Sequence, residues 1–216
     1  MHYCIINPEV LALNSLANDL LKSLQNYVFL QEFKDLGDRI QPEKIETGSQ
    51  YLSLIGQAIR DRKKLKIKYQ KFVDSQPKDF IIHPYCLKAN KGRWYILAYK
   101  EENEHNIPAQ VFALDRTLAL SVTIEDFIDN PDVDPSTYFS DCFGIYKDFD
   151  KFPVKDITIA VKPYVADYIR TQPLHHSQRE QTFASPDAIY FSYHLSPSHD
   201  FLREIASWRG DAWIVE

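Results

Sequence analysis

Glycine is scarce in this chain of 216 residues, which contains only six. The two closest, Gly48 and Gly56, are eight positions apart, so the glycine spacings of dinucleotide-binding and phosphate-binding loops cannot occur. Folds built on those two loops are therefore excluded.

Cysteine and long apolar runs are also lacking. Cys4, Cys86 and Cys142 are odd in number and far apart, which fits neither a disulfide framework nor a zinc knuckle. No apolar run approaches the roughly 20 residues that cross a bilayer, and the N-terminus lacks the layout of a secretion signal. These absences predict a soluble cytoplasmic protein with reduced thiols and no membrane partner.

Positive charge is in deficit. The chain has 25 basic and 30 acidic residues, for a formal net charge of -5. A stand-alone nucleic-acid binder carries an extended positive field, so any surface for an anionic partner must be local here.

Catalytic and metal-binding motifs are absent as well. There is no Gly-x-Ser-x-Gly, no His-Glu-x-x-His and no Cys-x-x-Cys. His175 and His176 are adjacent, which suits a solvated turn better than a metal site, and His194 and His199 are predicted at the surface. We therefore expect neither an enzyme nor a cofactor.

The first 46 residues are predicted to be a helical segment. Asn7-Pro8-Glu9 has the residue types of a helix start, and leucines follow at helical spacing to about residue 25. A second apolar stripe extends over residues 27–40. This pair is too small to bury both faces, so it must dock on the rest of the chain, on another subunit or on a region outside this sequence.

A small β-barrel is predicted over residues 47–125. A capping box at 47–50 precedes a short helix, and residues 64–69 then alternate between lysines and apolar residues, as in a strand. Further strands are predicted at 80–88, 93–100, 111–114 and 118–124, with Asn90-Lys91-Gly92 as a hairpin turn. One helix with five short strands is typical of such a barrel.

The remaining chain divides into a linker and a second domain. Residues 125–150 contain eight acids but only one base, Lys147, so a linker is predicted at 126–152 that lies across a surface. Strands at 157–161, 178–183, 189–195 and 212–215, with helices at 163–170 and from 196 onward, predict a ferredoxin-like (βαββαβ) domain over 153–216. The fold class is α+β.

The predicted barrel is rich in aromatic and polar side chains. Aromatic faces stack on bases and cations neutralise phosphate, so the set suits a nucleotide or single-stranded nucleic acid. The same residue types also serve as core filler and as protection of edge strands. The set comprises Tyr69, His83, Tyr85, Arg93, Trp94, Tyr95, Tyr99 and Arg116.

Four motifs in this region resemble the WYL domain family. They are Leu65-x-Ile67-x-Tyr69, His83-Pro84-Tyr85-x-Leu87, the run from Gly92 to Tyr99 with Trp94-Tyr95-Ile96 as its naming triplet, and Phe112-x-Leu114-Asp115-Arg116. Phe143-Gly144-Ile145, His176-Ser177-Gln178 and Ile205-Ala206-Ser207-Trp208 look like the C-terminal extension that often follows this domain. The resemblance covers about residues 50 to 216.

The resemblance implies an Sm-like or SH3-like barrel that senses a ligand for a bacterial transcription regulator. Such regulators are usually dimers, and a winged helix-turn-helix binds promoter DNA. The first 46 residues leave too little room for that module, so promoter DNA would be reached only through a helix-turn-helix outside this chain.

The family's binding positions correspond here to Tyr69, His83, Tyr85, Trp94, Tyr95 and Arg116, and we add Arg93. We expect them to converge on one concavity, with Arg116 as the main contact to an anionic small molecule, a nucleotide or an oligonucleotide. A salt bridge of Arg116 to Asp115 or to the acidic linker is the structural alternative. Trp94 is predicted to pack in the core.

The chain also departs from the family. Many members have further arginines near the last motif, where Gln110 and Ala113 stand here, so a small anion is favoured over a long polyanion. Lysines within residues 60–71 would compensate only if they faced the same side as Arg116. The alternative function is an interaction and dimerisation module with a structural barrel, and an enzyme acting on a nucleotide is a third option.

Overall fold

The computed structural model describes residues 48–102, 107–147, 151–182, 185 and 187–215. The chain divides into two units, Met1–Lys44 and Ile45–Glu216, and every described residue belongs to the second. The predicted helical segment at 1–46 lies outside the described residues.

The described chain is a mixed α+β structure with two antiparallel sheets. In the first, helix α1 (Leu52–Arg60) precedes five strands in the order β4-β3-β2-β1-β5. These strands are β1 (Lys63–Tyr69), β2 (Lys78–Asn90), β3 (Arg93–Lys100), β4 (Gln110–Ala113) and β5 (Thr117–Asp126). A 3-10 turn, Leu114–Arg116, joins β4 to β5.

The second sheet has four strands in the order β7-β8-β6-β9, with two helices. Its elements are β6 (Lys155–Val161), α2 (Pro163–Thr171), β7 (Arg179–Glu180), β8 (Ile189–Leu195), α3 (His199–Ser207) and β9 (Ala212–Ile214). Strand β7 is much shorter than the predicted strand at 178–183. No helix in the described part of the chain has the length and apolar character of a membrane span.

The alternation predicted for β1 is confirmed. Leu65, Ile67 and Tyr69 are buried, whereas Lys66 and Lys68 are exposed. The hairpin between β2 and β3 is confirmed too, with Lys91 at φ 47° and Gly92 at φ 70°. Two consecutive positive φ values match the twist of the flanking strands, which explains the tight turn.

The start of α1 differs from the predicted capping box. Thr47 lies outside the described residues, and the Oε1 atom of Gln50 accepts the N–H of Gly48 at 3.0 Å. A 3-10 turn, Ser49–Tyr51, therefore follows Gly48 before the helix begins. Gly48 has φ +109°, and an added Cβ would lie 2.5 Å from the Cβ of Leu114. This close approach places α1 beside the turn that contains Arg116.

Strand β3 separates two apolar clusters. Ile96 and Ala98 pack with α1, β1 and β2, whereas Leu97 packs with residues of the segment that follows β5. That segment, residues 127–147, is named the acidic segment below. Its Phe127 and Val133 are buried in the second cluster, so its apolar residues hold it against the sheet while most of its carboxylates stay at the surface.

The prediction that His175 lies in a solvated turn is wrong, because this residue is buried and only 8% exposed. Its Nε2 lies 2.8 Å from the carbonyl oxygen of Ser140, and its Nδ1 accepts the N–H of Ser177 at 3.3 Å. The ring therefore links the acidic segment to the second sheet. Burial and the neighbouring His176 lower the pKa of His175 below 6.5. His194 and His199 are exposed, as predicted.

Replacing Gly48 by alanine should destabilise the fold by about 2–4 kcal/mol, because the added Cβ requires a strained φ and meets Leu114. Gly56→Ala is the matched control: nothing lies within 4 Å of the new atom, so the better helix propensity should stabilise by about 0.5–1 kcal/mol. Urea unfolding followed by circular dichroism measures both. Equal stabilities for the two variants would contradict the close contact.

His175 should make stability depend on pH. Because its folded-state pKa is lowered, the unfolded chain takes up the proton first, and stability falls as pH drops from 6.5 through the folded-state pKa, by up to about 1.4 kcal/mol per pH unit. His175→Gln keeps an N–H for Ser140 but does not titrate, so its loss of stability between pH 7.5 and 5.5, about the range where histidine titrates, should be smaller. Identical pH profiles for the two proteins in urea titrations would reject this role.

Candidate functional site

Three of the predicted site residues meet at one cavity of about 330 Å³. Tyr69 comes from the end of β1, Tyr95 from β3 and Arg116 from the turn between β4 and β5. The N–H of Gln70 donates to the carbonyl oxygen of Arg116 at 3.1 Å, which fixes that turn against the end of β1.

Tyr69 is part of the cavity wall and of the core. Its side chain is 4% exposed, packs edge-to-face on Phe112, and its hydroxyl oxygen accepts the N–H of Ala113 at 3.2 Å. Burial raises the pKa of the phenol, and the nearby Arg116 opposes part of that shift. Tyr69 therefore presents a neutral hydroxyl beside a cation.

Arg116 has unused donor capacity. Its Nε lies 3.9 Å from Oδ1 of Asp115, beyond hydrogen-bond distance, and neither atom has a hydrogen-bond partner among the described residues. The other carboxylate oxygen of Asp115 is 3.1 Å from Arg93. The ring of Phe72 lies 4.3 Å from the guanidinium carbon. The salt bridge between Arg116 and Asp115 is thus only a loose one.

A second cavity, of about 310 Å³, also borders Arg116. Lys71, Phe72 and Val73 contribute to its walls together with Tyr69. Lys66 and Lys68, by contrast, lie on the exposed face of β1 opposite to Tyr69. Of these three lysines, Lys71 is therefore the one placed to reinforce the positive charge of Arg116.

The expected convergence on one concavity is wrong for His83 and Tyr85. His83 Nδ1 accepts the N–H of Ile128 at 3.2 Å, and its Nε2 is 3.1 Å from Glu101. Tyr85 packs edge-to-face on Phe127. Both lie on the face of β2 opposite to Ile82, and the acidic segment covers that face.

Arg93 also lies outside the cavity, since its guanidinium pairs with Asp115. Its Nη1 lies 3.1 Å from Oδ2 of this carboxylate, whose Oδ1 lies 3.9 Å from the Nε of Arg116. Trp94 is half-buried and packs on the cluster of Ile96 and Ala98, as predicted.

The acidic segment supplies cavity residues that the sequence analysis missed. Tyr138, Tyr146 and Lys147 line the same cavity as Arg116. The ammonium of Lys147 lies 4.1 Å from the ring centre of Tyr138. One signal was present, because Lys147 is the single base among eight acids of residues 125–150. Because Lys147 was assigned to a linker, it was not predicted to line the cavity.

The two departures from the family pattern lie at the same place. Gln110 and Ala113 both line the cavity of Arg116. Because both side chains are uncharged, Arg116 and Lys147 are the cationic residues that line this cavity. Within the described ranges, no group of three or more His, Cys, Asp or Glu side chains could hold a metal ion.

Comparison with known proteins places this sheet in a family. Residues 50–122 match the model of the WYL domain. Proteasome accessory factor B/C of Arthrobacter aurescens is similar with a TM-score of 0.39 and 17% identity, over 83% of this chain and 27% of that chain. A CRISPR Cas-related protein is similar with a TM-score of 0.41 and 12% identity, over 76% of this chain and 45% of that chain.

This chain therefore spans less than half the length of either structure. No curated protein matches it. The matched residues contain α1, β1 to β4 and most of β5, including the triplet Trp94-Tyr95-Ile96 and the pair Asp115-Arg116. The resemblance seen in the sequence is confirmed for this part of the chain: residues 50–122 are a WYL domain.

Proposed function

We propose that this protein is a ligand-sensing regulatory module of a bacterial transcription regulator and binds a small anionic effector, such as a nucleotide or short nucleic acid, beside Arg116. The observation that carries the proposal is the Arg116 guanidinium on the cavity wall, whose Nε has no hydrogen-bond partner among the described residues. A buried donor without an acceptor is unfavourable, and an anionic ligand would relieve this.

The shape and charge of the cavity favour a compact anion. Its volume of about 330 Å³ holds a small ligand, and the hydroxyl groups of Tyr69 and Tyr95 offer neutral hydrogen bonds beside the guanidinium. Phe72, which lines the second cavity beside Arg116, offers a ring face for a base. Gln110 and Ala113 add no charge, so a long polyanion gains little over a mononucleotide.

The acidic segment is the proposed route by which occupancy is transmitted. It forms one wall of the cavity, and its Ser140 and Asp141 bond to the second sheet through His175 and through the N–H of Ser196. A ligand that binds more tightly to one position of this wall would make that position more populated. The second sheet would then follow the wall to the corresponding position.

The finer description of the fold belongs to the same proposal. We assign residues 47–125 to an Sm/SH3-like barrel, 126–152 to a linker and 153–216 to a ferredoxin-like domain. The strand orders β4-β3-β2-β1-β5 and β7-β8-β6-β9 support the assignment. A cytoplasmic homodimer that reaches promoter DNA through a helix-turn-helix outside this chain would complete the regulator.

The alternative is an interaction and dimerisation module with a structural barrel. Leu118, Val122 and Ile124 are exposed on β5, the edge strand of the first sheet, and such a strand is a ready surface for pairing. The alternative predicts association without any effect of an anionic ligand, so the next experiment separates the two functions.

Arg116→Gln should weaken nucleotide binding by ~10-fold or more, because the charged bonds to phosphate are lost while size and polarity are kept. Isothermal titration of a panel of nucleoside phosphates and short oligonucleotides into both proteins measures the effect. Arg203→Gln is the control, since Arg203 is an exposed residue of α3. Absence of binding by the wild type to the whole panel would reject ligand sensing in favour of the alternative.

Gln110→Arg should shift the preference toward longer anions. The new guanidinium would line the same cavity and engage one further phosphate, which steepens the salt dependence of oligonucleotide affinity by about one unit of slope. Titration of a short oligonucleotide and a mononucleotide at several salt concentrations tests this. Ser121→Arg, on the exposed part of β5, is the control; an equal gain in both variants would show that only overall charge matters.

A further inference from the structure

A larger cavity, of about 490 Å³, lies between the β2–β3 hairpin and the helices of the second sheet. It shares no lining residue with the cavity of Arg116. Lys91 of the hairpin turn, Phe143 of the acidic segment, the end of α2, and Glu204 and Trp208 contribute to its walls. A ligand there would touch the WYL domain and the C-terminal part of the chain at once.

Aromatic rings make up much of this wall. Tyr168 and Trp208 lie with their ring centres 5.9 Å apart, and the ring of Tyr168 is largely exposed. Phe143 adds a third ring. Aromatic faces carry a negative electrostatic potential, so they attract organic cations within about 6 Å of the ring centre.

The carboxylate and the helix end at this cavity also favour a cation. Glu204 provides a carboxylate whose side chain is 25% exposed. The last turn of α2, with Ile169, Thr171 and the cap residue Gln172, also lines the cavity. Carbonyl groups at a helix C-terminus carry partial negative charge and favour a cation.

Lys91 shows that these walls already bind an ammonium group. Its Nζ lies 2.7 Å from Oε2 of Glu204 and 5.4 Å from the ring centre of Phe143. The Lys91 side chain is 61% exposed, and an ion pair of this kind is worth little, so a second ammonium can displace it at low cost.

We propose that this cavity is a binding site for a small organic cation of the alkylammonium class. The ligand takes the position of the Lys91 ammonium at Glu204 and Phe143 and fills the space beside Tyr168 and Trp208. It thereby breaks the ion pair that joins the hairpin to α3. This second ligand differs in charge and place from the anionic effector proposed for Arg116.

The test uses n-butylammonium chloride, which has the same butyl chain and ammonium group as lysine. Isothermal titration into the full chain at constant ionic strength should show one site per chain. Lys91→Asn removes the internal competitor, and asparagine suits the left-handed φ of 47° at this position. The affinity of this variant for n-butylammonium should rise ~3- to 5-fold, because the ligand no longer has to break a surface ion pair.

Glu204→Gln should weaken the same binding by ~10-fold or more, because the carboxylate is the charged partner of the ligand. Lys88→Gln is the matched control, since its ammonium lies 5.0 Å over the ring of Phe139 at a different place, and its affinity should equal that of the wild type. A change in tryptophan fluorescence on binding should disappear in Trp208→Phe.

No binding by the wild type, or equal affinities of wild type, Glu204→Gln and Lys91→Asn, would overturn the proposal. If Glu204→Gln does not fold, Lys91→Asn decides the question alone. Either failure leaves the anionic site untouched, because Arg116 lies outside this cavity.

Discussion

The burial of apolar side chains from the acidic segment is the interaction on which both proposed sites depend. Phe127 and Val133 pack against β2 and β3, and Phe143 packs with the core of the second sheet. These contacts position the backbone between them, so that Tyr138 and Lys147 line the cavity of Arg116 while Phe143 lies beside Lys91. Without this apolar anchoring, eight acidic residues in 125–150 would favour a solvated chain.

Buried polar groups in this protein differ in whether the chain itself satisfies them. His83 and His175 each bond to the acidic segment, one near its start and one near its end, so their polarity contributes to the fold. The Nε of Arg116 has no such bond among the described residues. This contrast sets Arg116 apart from the residues that hold the cavity wall.

Part of the described fold could be predicted because strands such as β1 and β8 alternate between buried and more exposed side chains. The bounds of β3 and β8 agree with the sequence analysis, and the spaced motifs identified the WYL family. The length of strand β7 was overestimated, since only Arg179 and Glu180 pair with β8. The start of α1 was predicted too early, since the 3-10 turn Ser49–Tyr51 precedes Leu52 and Gln50 accepts the N–H of Gly48.

The sequence by itself determined which side chains share a strand face, and its motifs identified the WYL domain. It could not decide what covers each face, because that depends on contacts between residues far apart in the chain. Tyr85 and Tyr95 looked equivalent as motif tyrosines, yet the acidic segment buries Tyr85 against Phe127 and leaves Tyr95 at the cavity of Arg116. Only the tertiary structure, through the packing of that segment, separated residues covered inside the fold from residues that line the cavity.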